Sequence, residues 1–356
     1  MRSLLLFVLL AACAGASPTK DEGGLSQQQT AIAHACDSLL TGLVGDAYGA
    51  AVLIAMNDTV ILSNGYGPID STSSVRPSDK TLFNLASISK SFTAVCIAQL
   101  EAEGKLRRSD PLVQFFPDLP ADKRAITIEQ CLTHTSGLGQ NYAADGTRTL
   151  ADAVAAIGRD TLDTIPGARF GYTNENFELL AAVVEKVSGT PYEAYVRAHE
   201  LLPAGMMNTK VWSDLPAPAP PQVAAFTRKL EPEVFGINWG YIGSGGLYSC
   251  TRDLHNWFHA LRDGRLLSPA LLDTLWAPRV NVSVGSIGRG WFVSETNGTR
   301  EIWTRGNEDW GHNGVVRWFP ERGLLIIILT NSGERGDKNI TGNRLLGDAL
   351  VEKLVR

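Results

Sequence analysis

The chain has no run of like charge, no basic cluster and no long apolar segment beyond its first residues. Its net charge is -5, with Lys and Arg scattered, so it lacks the electrostatic footprint of a nucleic-acid binder. The apolar stretch Leu324 to Leu329 is the length of a buried strand, far below the roughly 20 residues that cross a bilayer. Cysteine is sparse, five in 356 residues, and none has Cys-x-x-Cys or other metal-ligand spacing. Free buried thiols are therefore expected at Cys36, Cys96, Cys131 and Cys250, although full oxidation would allow three pairings. There is no Gly-x-Ser-x-Gly turn and no Gly-x-x-x-x-Gly-Lys loop, which removes the entry signals for an α/β-hydrolase and for a nucleotide site. His255 and His259 stand four apart in a helix-like run, but Asn256 occupies the place where a zinc protease carries its general-base Glu. Helix-surface histidines are the expectation, and no metal or cofactor is implied. Internal repeats are absent.

What is present is an ordinary globular composition, 44% hydrophobic and 19% charged. Met1-Arg2-Ser3, the apolar Leu4 to Leu10 and small residues to Ala16 read as a secretory signal over residues 1–16, followed by a flexible tail over 17–26. Ala14-Gly15-Ala16 fits a signal-peptidase site. Leu10-Ala11-Ala12-Cys13 fits a lipobox, with Cys13 as the lipidated residue, and this second reading is preferred. The protein is thus expected to be exported, either periplasmic or lipid-anchored to the cell envelope, alternatively secreted. The only membrane attachment implied is a lipid anchor.

Residues 27–356 read as one catalytic unit of α+β class. Gln29 to Leu43 carries helical periodicity. Ala50 to Ala55 and Val60 to Leu62 form a hairpin through Asn57-Asp58, and Val315 to Phe319 pairs with Leu324 to Thr330 around Pro320 to Gly323. A final helix covers about Ile340 to Leu354. Helix-like runs at Thr149 to Gly158, Asn174 to Val187, Pro191 to Leu201 and Asp253 to Leu261 fill the middle, interrupted by the linker Pro216 to Pro221. An antiparallel sheet built from both chain ends and flanked by helices (about 27–86 and 240–356), with a mostly helical insertion (about 87–239), is the simplest arrangement.

Ser-x-x-Lys occurs twice. Ser17 and Lys20 lie in the polar tail with Pro18 between them, so no helix pre-positions the amine. Ser87 and Lys90 begin a run, Phe92 to Leu100, that is apolar nearly all round and should be a buried helix. Residues three apart share a helix face, which brings the amine to the hydroxyl. Burial strips water from an ammonium and favours the free amine as a base for Ser87. The Ser87 amide, near a helix N-terminus, suits a developing oxyanion. The competing reading is a buried Ser with a snorkelling Lys.

Phe83 to Ala94 resembles the nucleophile segment of the β-lactamase-related serine hydrolases, which include class C β-lactamases, DD-peptidases and esterases. Leu132-Thr133-His134-Thr135-Ser136-Gly137-Leu138 is similar to a loop of that family, Tyr172-Thr173-Asn174 to its Tyr-x-Asn element, and His312-Asn313-Gly314 to its Lys-Thr-Gly or His-x-Gly strand. Gly245-Gly246-Leu247 with Asp253-Leu254 fits a structural element, and the matches run in order over about residues 45 to 335. The resemblance implies a β-lactamase/transpeptidase-like fold. It makes Ser87 the nucleophile, gives Lys90 and Tyr172 the protons to manage, and places Asn174, His312 and Gly314 at the substrate. By analogy the amides of Ser87 and Val315 form the oxyanion hole. A His at 312 would hold a substrate carboxylate only while protonated. His312, where the resemblance to β-lactamases implies a Lys, and Val315-Val316-Arg317 after Gly314, lacking the small polar residue typical of β-lactamases, weaken a β-lactamase assignment. His134 reads as a loop hydrogen-bonder, and Trp303, Trp310 and Trp318 as core or pocket wall. The expected activity is hydrolysis of a small ester, amide or short peptide, in the manner of an esterase or D-amino-acid peptidase. The alternatives are a class C-like β-lactamase or DD-peptidase, and a sensor that acylates without turnover. The acyl group, the oligomeric state and the loop-shaped pocket (Gln140 to Asp145) are not legible.

Overall fold

The computed structural model describes residues 24–70, 72–214, 237–308, 311–335 and 340–355. The signal reading, Cys13, the Pro216 to Pro221 linker and Trp310 lie outside the described residues. Helix α1 (Gln27–Val44) starts at a capping box in which Ser26 and Gln29 satisfy each other's backbone N–H groups. Strands β1 (Ala50–Met56) and β2 (Thr59–Tyr66) follow as a hairpin, and Asn57 and Asp58 both take the left-handed conformation that a two-residue turn requires. After the short β3 (Phe83–Asn84) comes α2 (Ser89–Ala102). Then α3 (Ile128–Leu132), α4 (Leu150–Arg159), α5 (Glu175–Ser188), α6 (Tyr192–Val196) and α7 (Leu202–Ala204) make up the helical region. Between α6 and α7, Arg197–Leu201 is one turn of π-helix.

The short strands β4 (Lys210–Val211) and β5 (Leu247–Ser249) pair with β3, and α8 (Thr251–Arg262) and α9 (Pro269–Trp276) follow. The chain then returns through β6 (Val280–Val282), β7 (Gly285–Ile287), β8 (Phe292–Thr296), β9 (Thr299–Asn307), β10 (Asn313–Phe319), β11 (Leu324–Thr330), a minor two-stranded ribbon β12 (Glu334–Arg335) and β13 (Ile340–Thr341), and α10 (Gly342–Leu354). The main sheet has eight antiparallel strands in the order β2-β1-β11-β10-β9-β8-β7-β6.

Strand alternation sorts the central side chains between two cores. Val52, Ile54, Phe319, Ile326 and Ile328 pack under α1 and α10 with Cys36, Leu40, Leu346 and Leu350. Leu53, Val316, Trp318, Leu325 and Ile327 face the helical region. Helix α2 crosses that second core with ten further buried residues besides its first, Ser89, and only its last turn, at Gln99, Glu101 and Ala102, reaches solvent. Phe92 stacks on Trp257 of α8 with ring centroids 3.9 Å apart, and Trp257 on Trp291 at 5.8 Å. Each such side chain contributes about 1.5–3 kcal/mol on burial, so the start of α2 is held rigidly.

The sheet from both chain ends is the expected one, as are the hairpin, the β10–β11 pair and the helices flanking them. The four strands β6 to β9 were not legible. They are short or carry mixed polar patterns, as in Thr-Arg-Glu-Ile-Trp-Thr-Arg-Gly-Asn of β9, and they extend the sheet well past β10. Cys36, Cys96, Cys131 and Cys250 are free and buried. Among the described residues no helix is long and apolar enough to cross a membrane.

Candidate active site

Ser87 sits in a single 3-10 turn, Ala86–Ile88, that feeds α2. Ala86 is forced into the left-handed region (φ 46°), a conformation that costs energy for a residue with a Cβ. The surroundings over-determine it: the Asn84 side chain accepts from the Ala86 amide at 2.5 Å, and the Asn84 amide donates to His312 Nδ1 at 2.8 Å. Ser87 is thereby lifted to the floor of a cavity of about 670 Å³.

Lys90, the second residue of α2 and 3% exposed, reaches back to this hydroxyl. Its Nζ lies 3.0 Å from Ser87 Oγ, 2.7 Å from Asn174 Oδ1 and 2.8 Å from the Ser244 carbonyl. The two carbonyl oxygens are acceptors only, so they claim two N–H bonds and aim the third tetrahedral position at Ser87. In the free amine that position is a lone pair. Tyr172 approaches from the other side, its hydroxyl 2.8 Å from Ser87 Oγ, and Lys90 Nζ is 5.2 Å from its ring centroid. Tyr172 is 38% exposed, open to the cavity. Asn174, at the start of α5, is fixed by its own amide donating to Gln140 Oε1 at 2.7 Å. Lys90 and Tyr172 thus meet at Ser87 Oγ, and Asn174, 87 residues from Ser87 in the chain, joins them through Lys90 Nζ.

The other expected residues do not join them. β10, which carries His312-Asn313-Gly314 at its start, lies between β9 and β11 and so is an inner strand. His312 is fully buried, wedged between the Phe83 and Tyr248 rings, with Nδ1 accepting from Asn84. It does not line the cavity, so the expected contact with a substrate carboxylate has no geometric basis. Gly314 is a packing glycine: a Cβ there would meet Leu329 at 2.8 Å and Ile88 at 2.9 Å. Val315 fails as an oxyanion donor for a reason fixed by the ladder. The Glu308 amide donates to the His312 carbonyl at 2.8 Å, and antiparallel pairs alternate between bonded and unbonded. Residues 306 and 314 are therefore bonded across β9–β10, while Val315 turns its amide into the β11 ladder opposite Ile328.

The same alternation turns the amides of Arg305 and Asn307 away from β10. β8 covers β9 only as far as the pair Phe292 and Trp303, so these amides face an open edge. Gly306 between them is pressed on the nucleophile turn: a Cβ would stand 2.0 Å from the Leu85 carbonyl and 2.9 Å from the Ser87 amide. Arg305-Gly306-Asn307 on β9, and not His312-Asn313-Gly314 on β10, is the strand segment beside Ser87.

Arg305 and Asn307 both line the cavity, with Gln140, Asp145 and Glu308. Arg305 is the one cationic side chain among the described lining residues, and its guanidinium carbon lies 5.5 Å from the Trp303 ring centroid. No sequence signal marked it, since one Arg in a polar strand is unremarkable. Ser244 was equally hidden, because its contribution is a main-chain carbonyl. The loop over Gln140 to Asp145 is tied down by Glu175, whose Oε1 accepts from the Asn141 amide at 2.8 Å. Asp253 of the Gly245-Gly246-Leu247 element clasps Asn208 and Thr209 through four hydrogen bonds and is structural. His255 and His259 line a separate small cleft with Asp58 and Trp318. Among the described residues no group of three or more His, Cys, Asp and Glu is placed to hold a metal.

Residues 36–350 match the Beta-lactamase family. PbpX of Bacillus subtilis strain 168 is 29% identical over 303 residues, which is 84% of this chain and 73% of PbpX. The structure of the octameric penicillin-binding protein homologue from Pyrococcus abyssi superposes with a TM-score of 0.78 at 22% identity, over 91% of this chain and 77% of that one. A D-stereospecific amidohydrolase from Streptomyces gives 0.73 at 26% identity, over 90% and 98%. The fold and the extent of the match together make this chain a member of the Beta-lactamase family, with the antiparallel sheet and flanking helices of the β-lactamase/transpeptidase-like fold.

Proposed function

We propose that the protein hydrolyses an amide or ester next to a D-configured amino acid, through a covalent Ser87 intermediate. The observation that carries this reading is the double hold on Ser87 Oγ by Lys90 Nζ and Tyr172 Oη, with the remaining Lys90 N–H bonds committed to Asn174 and Ser244. In acylation Ser87 Oγ attacks the substrate carbonyl carbon and its proton passes to the Lys90 amine. The carbonyl oxygen becomes an oxyanion, for which the Ser87 amide and the edge-facing Asn307 amide are the donors, a pre-set arrangement of the kind that supplies the largest part of acyl-transfer catalysis. As the C–N or C–O bond breaks, the leaving group takes a proton relayed through Tyr172. Water then attacks the acyl-enzyme, loses its proton to the same pair and restores Ser87.

The preference for a D-residue draws on the similarity to the D-stereospecific amidohydrolase from Streptomyces and on a cavity that bears Arg305 as well as Asp145 and Glu308. Arg305 replaces His312 in this reading as the group that pairs with an anionic substrate end. The test is a parallel assay of a D-Ala-D-Ala peptide, its L-Ala counterpart, a p-nitrophenyl ester and a chromogenic cephalosporin, with intact-mass detection of the acyl-enzyme. Turnover of the D-peptide with wild type, and a loss of at least about 10³-fold in Ser87→Ala, is expected. Unchanged turnover in Ser87→Ala ends the reading. Rapid cephalosporin turnover with an inert D-peptide would indicate a β-lactamase, and a persistent adduct a sensor. We also propose export with lipidation at Cys13. Labelled palmitate should be incorporated into the wild type and not into Cys13→Ser, and equal labelling of both refutes it.

A further inference from the structure

His134 takes no part in the chemistry above, yet it is built into the site in an unusual way. It lies two residues beyond α3, 2% exposed, with φ at +54°, a backbone conformation that L-residues rarely adopt. From there it grips the segment carrying Tyr172 at three points. Its carbonyl accepts from the Gly171 amide at 2.8 Å, its Nδ1 accepts from the Thr173 amide at 3.2 Å, and its ring stacks on the Tyr172 ring, centroids 4.4 Å apart and planes 26° from parallel. Residues on both sides of Tyr172 and the phenol itself are thus held by one histidine. Asn176 Nδ2, 3.2 Å from Nδ1, and the Phe170 and Phe177 rings at 5.9 and 5.2 Å close the remaining sides.

A backbone N–H can only donate, so Nδ1 carries no proton and the proton of the neutral ring is on Nε2. Burial holds this imidazole well below the ordinary histidine range. The ring is therefore a fixed neutral platform. Tyr172 needs one, since its exposed side faces the cavity and its hydroxyl must stay within 2.8 Å of Ser87 Oγ while substrate enters.

We propose that His134 is a positioning residue that holds the Tyr172 phenol against Ser87, by stacking on its ring and by bonding the main chain on either side of it. The proposal rests on the proton-relay role given to Tyr172. His134→Asn keeps an acceptor near the Nδ1 position and tolerates a left-handed backbone but loses the stack. His134→Phe keeps a stacking ring but loses the acceptor. Each should lower kcat on p-nitrophenyl acetate by about 10- to 100-fold with KM within about threefold, the size of effect that a misplacement near 1 Å produces. The decisive comparison uses Tyr172→Phe alone and combined with His134→Asn, with circular dichroism and thermal melts as folding controls. If His134 acts through the Tyr172 hydroxyl, the double variant is no slower than Tyr172→Phe. Multiplying losses in the double variant, or wild-type kcat in folded His134→Asn and His134→Phe, overturns the proposal. Full turnover by Tyr172→Phe overturns it together with the relay, and turnover by Ser87→Ala would overturn the hydrolase reading itself.

Discussion

Replacing Glu200 by Gln should make the protein more stable at neutral and alkaline pH while leaving it unchanged near pH 4.5. Glu200 is fully buried in the π-helical turn before α7. One carboxyl oxygen accepts from Cys96 Sγ at 3.0 Å and the other from Trp257 Nε1 at 2.9 Å, and no salt bridge among the described residues reaches it. Burial pushes its carboxyl up to about 8, and the two hydrogen bonds offset only part of that. In the unfolded chain the group ionises freely near 4.5. Between these values the folded state holds a proton that the unfolded state has released, so stability falls as pH rises through this window. The stabilising term is fully present below about pH 4.5 and is lost by about pH 8. At about 1.4 kcal/mol per pH unit the full loss approaches 5 kcal/mol, a large share of a domain's stability. Gln cannot ionise, and its amide offers Trp257 an oxygen and Cys96 Sγ an N–H. Urea unfolding of both proteins at pH 5, 6, 7 and 8 reads the effect, since other titrating groups contribute equally and cancel in the difference. The variant's advantage should grow with pH to several kcal/mol at pH 8. Parallel stability curves across that range would refute the reasoning.

Gly306→Ala places a Cβ 2.0 Å from the Leu85 carbonyl, so the turn bearing Ser87 must shift, and kcat should fall about 10²-fold in a protein that still folds. Wild-type kcat in that variant would contradict the close approach of β9. Arg305→Ala should raise KM for a substrate with a free carboxylate by about tenfold or more while sparing its amidated analogue, as loss of a charge-assisted hydrogen bond requires. Equal effects on both substrates would remove Arg305 from substrate binding.

The residues around Ser87 show where linear sequence succeeds. Ser87 and Lys90 are three apart on a helix, so their meeting is a local consequence of helical geometry and of the apolar run that buries it. The two-residue turn at Asn57-Asp58 and the alternation that sorts β10 and β11 between two cores are local in the same sense. The long-range partners Tyr172 and Asn174 carried a short motif whose order along the chain could be recognised. Where the sequence misled was the second strand of the site. His312-x-Gly314 has the right composition, but nothing in a line of residues says which of two adjacent strands presents its edge to the nucleophile. That depends on strand order and on ladder parity: β10 is enclosed by β9 and β11, whereas β9 outruns β8 and leaves the amides of Arg305 and Asn307 uncovered. A main-chain contribution such as the Ser244 carbonyl leaves no side-chain signature at all, and the loop reading of His134 gave no hint that its ring stacks on Tyr172. The sequence by itself determined that Ser87 and Lys90 share a helix face and that the chain is of α+β class, because those follow from periodicity and short spacing. Only the tertiary structure decided which backbone faces Ser87 and which cation lines the cavity, because both are set by pairing between segments distant in the chain.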